Sequence, residues 1–400
     1  MLSGKIIYFD FASPIMIPTM DEFDFGNKSV ILRVDINSPL DPSTLEIMDN
    51  WRIRRCIPTI EELVEKNAKV IILAHQGRPG KWDFTSLEKH AKELSRLMNR
   101  DVKFVDDVYG SKAIEEIEEA SNGEVILLDN VRKCEEEMKK LPPEEHARAE
   151  MVKKLSGHAS AFINDAFAAA HRSHCSMVGF IPVLPSFAGR LMEAELKNLD
   201  KMMKSAERPR IFIFGGGKYE NSIEVIKNLL EKGIADKILL GGMPANAFLG
   251  AMKKIDFDAN GEIKEIMEKY GGKVILPVDM VYEDGELDVE EARKPGKDIG
   301  SKTIDIFKEE IKNAASILIS GPMGVFEEER FARGTKEILE AIAGSEAFSI
   351  AGGGHTVAAI NKLRLAEKFS YVSTGGGSLE RFLMGRSLPV VEALIKFKRG

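Results

Sequence analysis

The sequence predicts an α/β protein made of two doubly wound, parallel-sheet domains of the Rossmann-like type. Short apolar runs alternate with helical patterns along most of the chain, which is typical of strands buried inside parallel sheets. The runs of the first half end in basic side chains, whereas those of the second half end in glycines, so the two halves differ in chemistry. A chain of 400 residues exceeds one ordinary hydrophobic core, and an apolar content of 44% can fill two.

Basic residues follow three apolar runs of the first half. His75 and Arg78 follow the apolar run at residues 69–74, and Arg132 follows the run at residues 125–128. Arg172 follows the run that ends before Asn164. Ligands of doubly wound sheets bind at the carboxyl ends of the strands. A single arginine or histidine at such a position is more often a surface group or a helix cap. Basic residues at the ends of three predicted strands favour one shared crevice that binds an anion.

Polar residues of a different kind follow the apolar run at residues 30–32. Asp35 and Asn37 alternate there, which places a carboxylate acceptor and an amide donor on one face of an extended chain, where they could grip hydroxyl groups. Arg52 opens the next helical pattern and is a further candidate for anion binding, whereas Arg54 and Arg55 are more typical of a solvated helix face.

In the second half, five apolar runs end in glycine-rich turns. These turns are Gly215-Gly216-Gly217-Lys218, Gly241-Gly242, Gly321-Pro322-Met323-Gly324, Gly352-Gly353-Gly354 and Gly375-Gly376-Gly377. Glycine lets backbone N–H groups approach a phosphate closely, and the helix that follows adds its positive N-terminal end. One such turn could serve tight chain reversal alone, but five in one half predict a phosphate or nucleotide site.

Two common nucleotide-binding motifs are absent from the sequence. A Walker A loop ending at Lys218 would need glycine at Phe212 and a hydroxyl residue at Tyr219. No run opens into a spaced Gly-x-Gly-x-x-Gly with an acidic residue at the required distance, which disfavours dinucleotide binding. The phosphates must therefore be held in another way.

Taken in order, these motifs resemble the phosphoglycerate kinase family over nearly the whole chain, from about Ser29 to Leu394. The matching segments are residues 33–39, 52–53, 58–60, 75–79, 128–132, 164–176, 215–218, 321–327, 352–354 and 373–377. Each segment alone could arise by accident. The complete set in the family's order is specific to that family.

The resemblance implies two doubly wound domains with an open cleft between them, 3-phosphoglycerate on the first domain and Mg-ATP on the second. The reaction it implies is reversible phosphoryl transfer between ATP and the carboxylate of 3-phosphoglycerate, giving ADP and 1,3-bisphosphoglycerate. The substrate positions it implies are Asp35, Asn37, Arg52, His75, Arg78, Arg132 and Arg172. The nucleotide positions are Lys218, Gly241, Gly242, Gly324, Glu327, Gly353, Gly354, His355 and Thr356, with Glu327 placed to accept from ribose hydroxyls.

Catalysis is expected to be electrostatic, without a covalent intermediate. A carboxylate is already ionised near neutral pH, so the acceptor needs no general base. The residues expected to hold the transferring group are Arg52, Lys218, and the N–H groups of Gly353, Gly354, Gly376 and Gly377.

Three positions depart from the commonest family pattern. Ser222 replaces a second lysine, Ser320 replaces an asparagine, and His355 replaces an aspartate that approaches the metal. The archaeal branch of the family resembles this chain in the serine and histidine positions, so we interpret them as variation within the activity. His355 could instead cap its helix or stack locally. The protein ligand of the metal is therefore unknown, and Mg²⁺ is expected to arrive with ATP.

The division by chemistry predicts the domain boundaries. Residues 1–188, completed by 386–400, form the expected 3-phosphoglycerate domain, and residues 206–385 form the expected nucleotide domain. The stretch 189–205 between them mixes apolar and charged positions as a linking helix would, which predicts a helical hinge.

Composition narrows the possible partners and compartments. A net charge of −7 argues against a general nucleic-acid partner. Three widely spaced cysteines suggest reduced thiols in a cytoplasmic protein. The opening residues 6–19 contain Asp10 and Pro14 and lack a basic lead, so a strand or a docking arm is favoured over a signal peptide or a membrane span. We expect a monomer or a homodimer.

Two alternatives to this activity stay open at this point. A nucleotide-binding or scaffolding protein could keep the fold after losing the reaction, as the three departures would allow. The arginine and histidine set argues against it, because a scaffold has no chemical need for that set. A kinase for another phosphorylated hydroxy acid is the second alternative.

Overall fold

The computed structural model describes residues 16–259 and 261–398, which divide into two compact units. The first unit contains residues 16–197 and 387–398, and the second contains residues 198–259 and 261–386. Most of the stretch 6–19, for which a strand or docking arm was expected, lies outside the described residues.

The first unit is built on one six-stranded parallel sheet. Its strands are β1 (Ser29–Arg33), β2 (Lys69–Leu73), β3 (Lys103–Val105), β4 (Val125–Leu128), β5 (Ala161–Asn164) and β6 (Ser186–Ala188). Their order in the sheet is β3-β4-β2-β1-β5-β6, and every pairing is parallel. The strand order reverses between β1 and β5, and ligands of such sheets bind beside a reversal of this kind.

Helices cover the faces of this sheet. They are α1 (Trp51–Glu65), α2 (Glu88–Met98), α3 (Ser111–Glu119), α4 (Pro143–His146), α5 (Glu150–Ser156) and α6 (Cys175–Val178). Apolar residues spaced three or four apart give α1 a buried face, formed by Ile53, Cys56, Ile60 and Leu63. That face packs into the same core as Val30 and Leu32 of β1 and Val70 and Ile72 of β2. Helix α7 (Arg190–Lys204) follows, within the stretch expected to link the domains.

The second unit contains a second six-stranded parallel sheet and a small antiparallel one. Its strands are β7 (Arg210–Phe214), β8 (Lys237–Leu240), β9 (Val274–Ile275), β10 (Asp279–Tyr282), β11 (Gly285–Asp288), β12 (Asp298–Ile299), β13 (Ser316–Ser320), β14 (Phe348–Gly352) and β15 (Tyr371–Val372). The parallel sheet has the order β15-β14-β13-β7-β8-β9, and the antiparallel sheet has the order β11-β10-β12. The strand order of the parallel sheet reverses between β7 and β13.

Helices also surround the second sheet. They are α8 (Glu220–Glu231), α9 (Gly242–Ala251), α10 (Glu262–Tyr270), α11 (Val289–Ala292), α12 (Ser301–Lys312), α13 (Arg333–Ala343), α14 (Gly354–Leu363) and α15 (Gly377–Leu383). The last helix, α16 (Pro389–Lys396), packs on α6 and β6 of the first unit. Two parallel-sheet α/β domains are thus confirmed, whereas the hinge and the cleft stay predictions. None of the helices in the described part of the chain is long and apolar enough to cross a membrane.

Candidate active site

Basic side chains converge at the carboxyl edge of the first sheet. We call them the basic cluster, which consists of Arg33, Arg52, His75, Arg78, Arg132 and Arg172. The arginines lie close enough to repel one another: burial, together with the charges of Arg172 and Arg33, lowers the pKa of Arg132 to about 10. Burial also lowers the pKa of Arg172, with contributions from Arg78 and Arg52. Five mutually repelling cations in one place form a site for an anion.

Asp35 is the carboxylate at the centre of this cluster. Burial alone would raise its pKa, but its basic neighbours, of which Arg52 has the largest effect, and the backbone N–H of Asn37 outweigh burial and lower the pKa to about 2. Arg52, at the start of α1, donates from Nη1 to Asp35 Oδ1 over 3.2 Å and reaches the Asn37 carbonyl at 3.4 Å. Asp35 is therefore ionised at neutral pH and holds Arg52 over the strand end.

Asn37 connects the loop after β1 to the loop after β2. Its Oδ1 accepts a hydrogen bond from the backbone N–H of Gly77 over 2.8 Å, which leaves the Nδ2 hydrogens of Asn37 as donors. The Gly77 carbonyl in turn accepts from Arg132. These bonds tie the two loops into one frame that carries His75 and the exposed Arg78.

The remaining substrate candidates come from the loops after β4 and β5. Arg132 lies in a short helical turn, and the backbone N–H of Arg132 donates to Asn130 Oδ1. Arg172 donates from Nε to His171 Nε2 over 3.1 Å and is half-buried. All seven predicted substrate residues thus belong to the first unit, and hydrogen bonds or charge interactions link each of them to another member of the set.

Three residues of this region were not among the predicted site residues. Arg33, the last residue of β1, is 1% exposed and contacts His75, while Ser176 and Glu137 are completely buried beside Arg33. The alternation of Arg33 with Asp35 and Asn37 was a usable signal for Arg33, because residues two apart in an extended chain share a face. No sequence pattern points to Glu137, and Ser176 is only the last residue of the matching segment 164–176, with nothing there to indicate its contact with Arg33.

The glycine turns of the second unit pack against each other where the strand order reverses. Gly215 N–H bonds to the Ser320 carbonyl over 3.0 Å, and Gly216 N–H bonds to the Pro322 carbonyl over 2.7 Å. Gly321 has a φ of +96°, and a Cβ there would lie 2.2 Å from the Gly215 carbonyl oxygen. Gly321 is therefore required by the turn itself.

Several predicted nucleotide residues also have a packing role in this unit. A Cβ at Gly241 would lie 2.8 Å from the Met323 sulfur, and a Cβ at Gly324 would lie 2.3 Å from Asp298 Oδ1. Gly242 has a φ of +52°, which favours glycine. Thr356 is buried, and its Oγ1 accepts from the Gly321 N–H over 2.7 Å. The internal architecture of the turns accounts for these four residues.

Gly217 and Gly354 are different, because nothing within the unit requires glycine at either position. Neither has a positive φ, and a Cβ at either would meet no atom within 4 Å. Gly217 precedes the exposed Lys218, and Gly354 is the first residue of α14, where backbone N–H groups lack partners inside the helix. A ligand that approaches the backbone at these two positions would explain the absence of side chains.

Two adjoining cavities lie along these turns and share Gly216, Gly217, Pro322 and His355 in their walls. One, of about 440 Å³, also includes Asn246, Gly324 and Glu327. The other, of about 340 Å³, includes Lys218, Gly353, Gly354 and Thr356. Ser222 and Ser320, two of the departures from the family pattern, also line the second cavity. A larger cavity of about 1030 Å³ beside α12 and α13 contains none of the predicted site residues.

His355 does not cap α14. The N-cap residue is Gly353, and no side chain caps that end of the helix. Instead, His355 Nδ1 lies 3.0 Å from Glu327 Oε1, and both side chains are largely exposed at the edge of the cavities. Within residues 16–259 and 261–398, no group of three or more His, Cys, Asp or Glu side chains is arranged to hold a metal ion.

Comparisons with known proteins agree with this geometry. The family model described as phosphoglycerate kinase matches residues 20–386. The chain is 46% identical to the phosphoglycerate kinase of Methanothermus fervidus, covering 94% of this chain and 96% of the relative, and 43% identical to that of Archaeoglobus fulgidus, covering 95% and 97%.

Solved structures show the same likeness. The phosphoglycerate kinase of Pyrococcus horikoshii OT3 matches with a TM-score of 0.89 at 38% identity, over 96% of this chain and all of that one. The enzyme of Coxiella burnetii matches with a TM-score of 0.81 at 31% identity, with the same coverage. The resemblance inferred from the ordered motifs, including the likeness to archaeal members, is confirmed: the chain belongs to the phosphoglycerate kinase family.

Proposed function

We propose that this chain catalyses reversible transfer of a phosphoryl group between ATP and the carboxylate of 3-phosphoglycerate, giving ADP and 1,3-bisphosphoglycerate, in glycolysis and gluconeogenesis. The observation that carries the proposal is the basic cluster of the first unit, in a member of the phosphoglycerate kinase family. Its five arginines exceed the two nearby carboxylates, Asp35 and Glu137. This excess of positive charge suits a small ligand that carries two anionic groups.

The polar residues of the cluster suit the rest of that substrate. 3-Phosphoglycerate carries one hydroxyl group between its phosphate and its carboxylate. Ionised Asp35 can accept from that hydroxyl, and the Nδ2 group of Asn37, left as a donor by the Gly77 contact, can donate to it. We assign Arg78, Arg132 and Arg172, with His75, to the anionic ends.

We assign the nucleotide to the two adjoining cavities of the second unit. Gly217 and Gly354 support this assignment, since a phosphate chain is a ligand that approaches backbone N–H groups and excludes side chains. Lys218 lies beside them as an exposed positive charge. Glu327, in the wall of the other cavity, is assigned to the ribose hydroxyls.

The proposed transfer needs charge stabilisation and alignment. The carboxylate of the acceptor is the nucleophile, so no side chain has to remove a proton from it. Arg52, Lys218 and the N–H groups of Gly353, Gly354, Gly376 and Gly377 are proposed to hold the transferring group. Direct transfer requires the two bound ligands to meet, and we include in the proposal a closing motion about residues 189–205, which scattering with and without both substrates would test.

We propose that Mg²⁺ enters with the nucleotide. An imidazole at position 355 is a poor ligand for a hard cation that prefers oxygen, and Glu327 is the carboxylate beside it. The ion would neutralise charge on the phosphates. The chain's own residues would orient the nucleotide through Glu327, Lys218 and the glycine turns.

A coupled assay with ATP and 3-phosphoglycerate, which follows ADP release, tests the proposal directly. We expect turnover that depends on both substrates. Turnover with 2-phosphoglycerate or glycerate instead would favour a kinase for another hydroxy acid. ATP binding without turnover on any acceptor would favour a scaffold that has lost the reaction. Cytoplasmic location and a monomeric or dimeric state are part of the proposal and can be checked by fractionation and light scattering.

A further inference from the structure

One contact within the basic cluster fixes the chemistry of a histidine. Arg33 Nη2 lies 3.1 Å from His75 Nδ1, and both side chains are almost completely buried. A guanidinium has only hydrogen-bond donors, so His75 Nδ1 must be the acceptor. The ring proton of neutral His75 is therefore on Nε2. None of the described residues forms a hydrogen bond with that Nε2, which leaves it as a donor for a ligand.

Arg33 is itself held in place by a buried chain of hydrogen bonds. Its Nε donates to Ser176 Oγ over 2.9 Å, and its Nη1 donates to the Val34 carbonyl. The Ser176 hydroxyl donates a hydrogen bond to Glu137 Oε1 over 2.8 Å, and Ser176 N–H donates to Glu137 Oε2 over 2.7 Å. Since the serine hydroxyl has one proton, the chain has one direction, from Arg33 through Ser176 to Glu137.

The charges that face His75 determine whether it stays neutral. Burial lowers its pKa well below the ordinary value, and Arg33, Arg132 and Arg172 lower it further, whereas Asp35 acts in the opposite direction. His174, on the Glu137 side of the chain, has its pKa lowered to about 3 by burial and by the same arginines. Neither imidazole therefore adds a positive charge at neutral pH.

We propose that Glu137, Ser176 and Arg33 form a positioning chain that fixes His75 as the neutral Nε2–H tautomer, so that His75 acts only as a hydrogen-bond donor to an anionic oxygen of the substrate. In this role His75 binds the substrate and transfers no proton. The identity of the substrate rests on the proposed function, but the tautomer follows from the geometry of the free protein.

NMR of the full-length protein, with all seven histidines labelled with ¹⁵N, tests this directly in the absence of ligands. The His75 signals are assigned by their loss in His75→Gln. We expect one protonated ring nitrogen, Nε2, and one unprotonated nitrogen, Nδ1, unchanged from about pH 5.5 to 8.5. An Nδ1–H tautomer, a mixture of tautomers, or protonation of His75 within that range would overturn the proposal.

A variant series tests the positioning chain. Ser176→Ala removes the link between Arg33 and Glu137, and we expect His75 to become a mixture of tautomers. The KM for 3-phosphoglycerate should then rise about three- to tenfold, the weight of one hydrogen bond, while kcat and the KM for ATP stay within about twofold. Ser176→Thr keeps the hydroxyl and should restore both readouts. Ser156→Ala is the matched control, since that hydroxyl bonds only to its own helix.

The two readouts separate this inference from the proposed function. An unchanged tautomer and an unchanged KM in folded Ser176→Ala would show that the chain does not position His75. If Ser176→Ala does not fold, the spectrum of the unmodified protein still decides the tautomer. A wild-type protein that shows the Nε2–H tautomer but no turnover would overturn the proposed function and leave this inference standing.

Discussion

Replacing Gly77 with alanine should damage the proposed substrate site far more than the same change at Gly80, three residues along the same loop. Both glycines are in the left-handed region, with φ values of +64° and +79°. A Cβ at Gly77 would lie 2.4 Å from the Asp83 carbonyl oxygen and 2.6 Å from Phe84 N, whereas a Cβ at Gly80 meets nothing within 4 Å. The two variants therefore share the backbone penalty and differ in the collision.

The magnitude follows from these two contributions. A left-handed alanine costs about 1–2 kcal/mol at either position. Forcing a methyl group against fixed backbone adds about 1–3 kcal/mol at Gly77 only. For a domain of this size, the sum of about 2–5 kcal/mol lowers the unfolding midpoint of the first unit by roughly 4–20 °C, against roughly 2–8 °C for Gly80→Ala.

The steric clash at Gly77 should also displace the residues proposed to bind the substrate. Any shift of Gly77 disturbs its bonds to Asn37 and Arg132, which hold the frame that carries His75. We expect the KM for 3-phosphoglycerate to rise about tenfold or more in Gly77→Ala, less than about threefold in Gly80→Ala, and the KM for ATP to change in neither. Thermal unfolding and steady-state kinetics measure both effects. Equal losses in the two variants, or an equal rise in the KM for ATP, would show that the collision at Gly77 does not control the substrate site.

Four further predictions follow from the site. Arg52→Ala should lower kcat about a hundredfold or more with little effect on ATP binding, and a normal kcat would remove Arg52 from the mechanism. Arg172→Ala should mainly raise the KM for 3-phosphoglycerate. Arg148→Ala, at an exposed position, is the control for both variants. Gly354→Ala should fold normally yet weaken ATP binding in calorimetry, and unchanged affinity would mean that no ligand approaches that backbone. His355→Asp should lower the Mg²⁺ concentration needed for half-maximal activity, since a carboxylate is a better ligand for Mg²⁺ than an imidazole, while His355→Ala should change it little. Loss of activity in folded His355→Ala at saturating Mg²⁺ would give His355 a direct part in catalysis. Because the pKa of Asp35 is lowered when folded, its contribution to stability is complete above its unfolded value near 4 and disappears as the pH falls through about 2, so Asp35→Asn should flatten the acid limb of a pH–stability curve.

The strands that position the site could be predicted from sequence because they are apolar and buried on both faces. Residues 30–32, 125–128 and 210–214 all lie inside observed strands. The small antiparallel sheet was not predicted, because β11 is largely exposed and polar and β12 has two residues. Edge strands such as β9 are equally short and carry no pattern.

The candidate site was predictable to the extent that its residues directly follow strands or glycine runs. Asp35, His75 and Arg132 are of this kind. Glu137 and Ser176 reach Arg33 from distant parts of the chain, and only the tertiary fold brings them together. The role of Glu137 and Ser176 depends on their contact with Arg33, and no local sequence pattern encodes that contact.

The empty space that a side chain at position 217 or 354 would occupy bears on how these positions can change in evolution. Alanine or serine at either position would cost the fold nothing, and alanine is the better helix former at the start of α14. A lineage that had abandoned nucleotide chemistry would meet no structural barrier to substitution there, whereas Gly321 would stay fixed by its turn in any descendant that still folds. Under the proposed function, the nucleotide would keep glycine at these two positions, whereas the fold itself keeps Gly321.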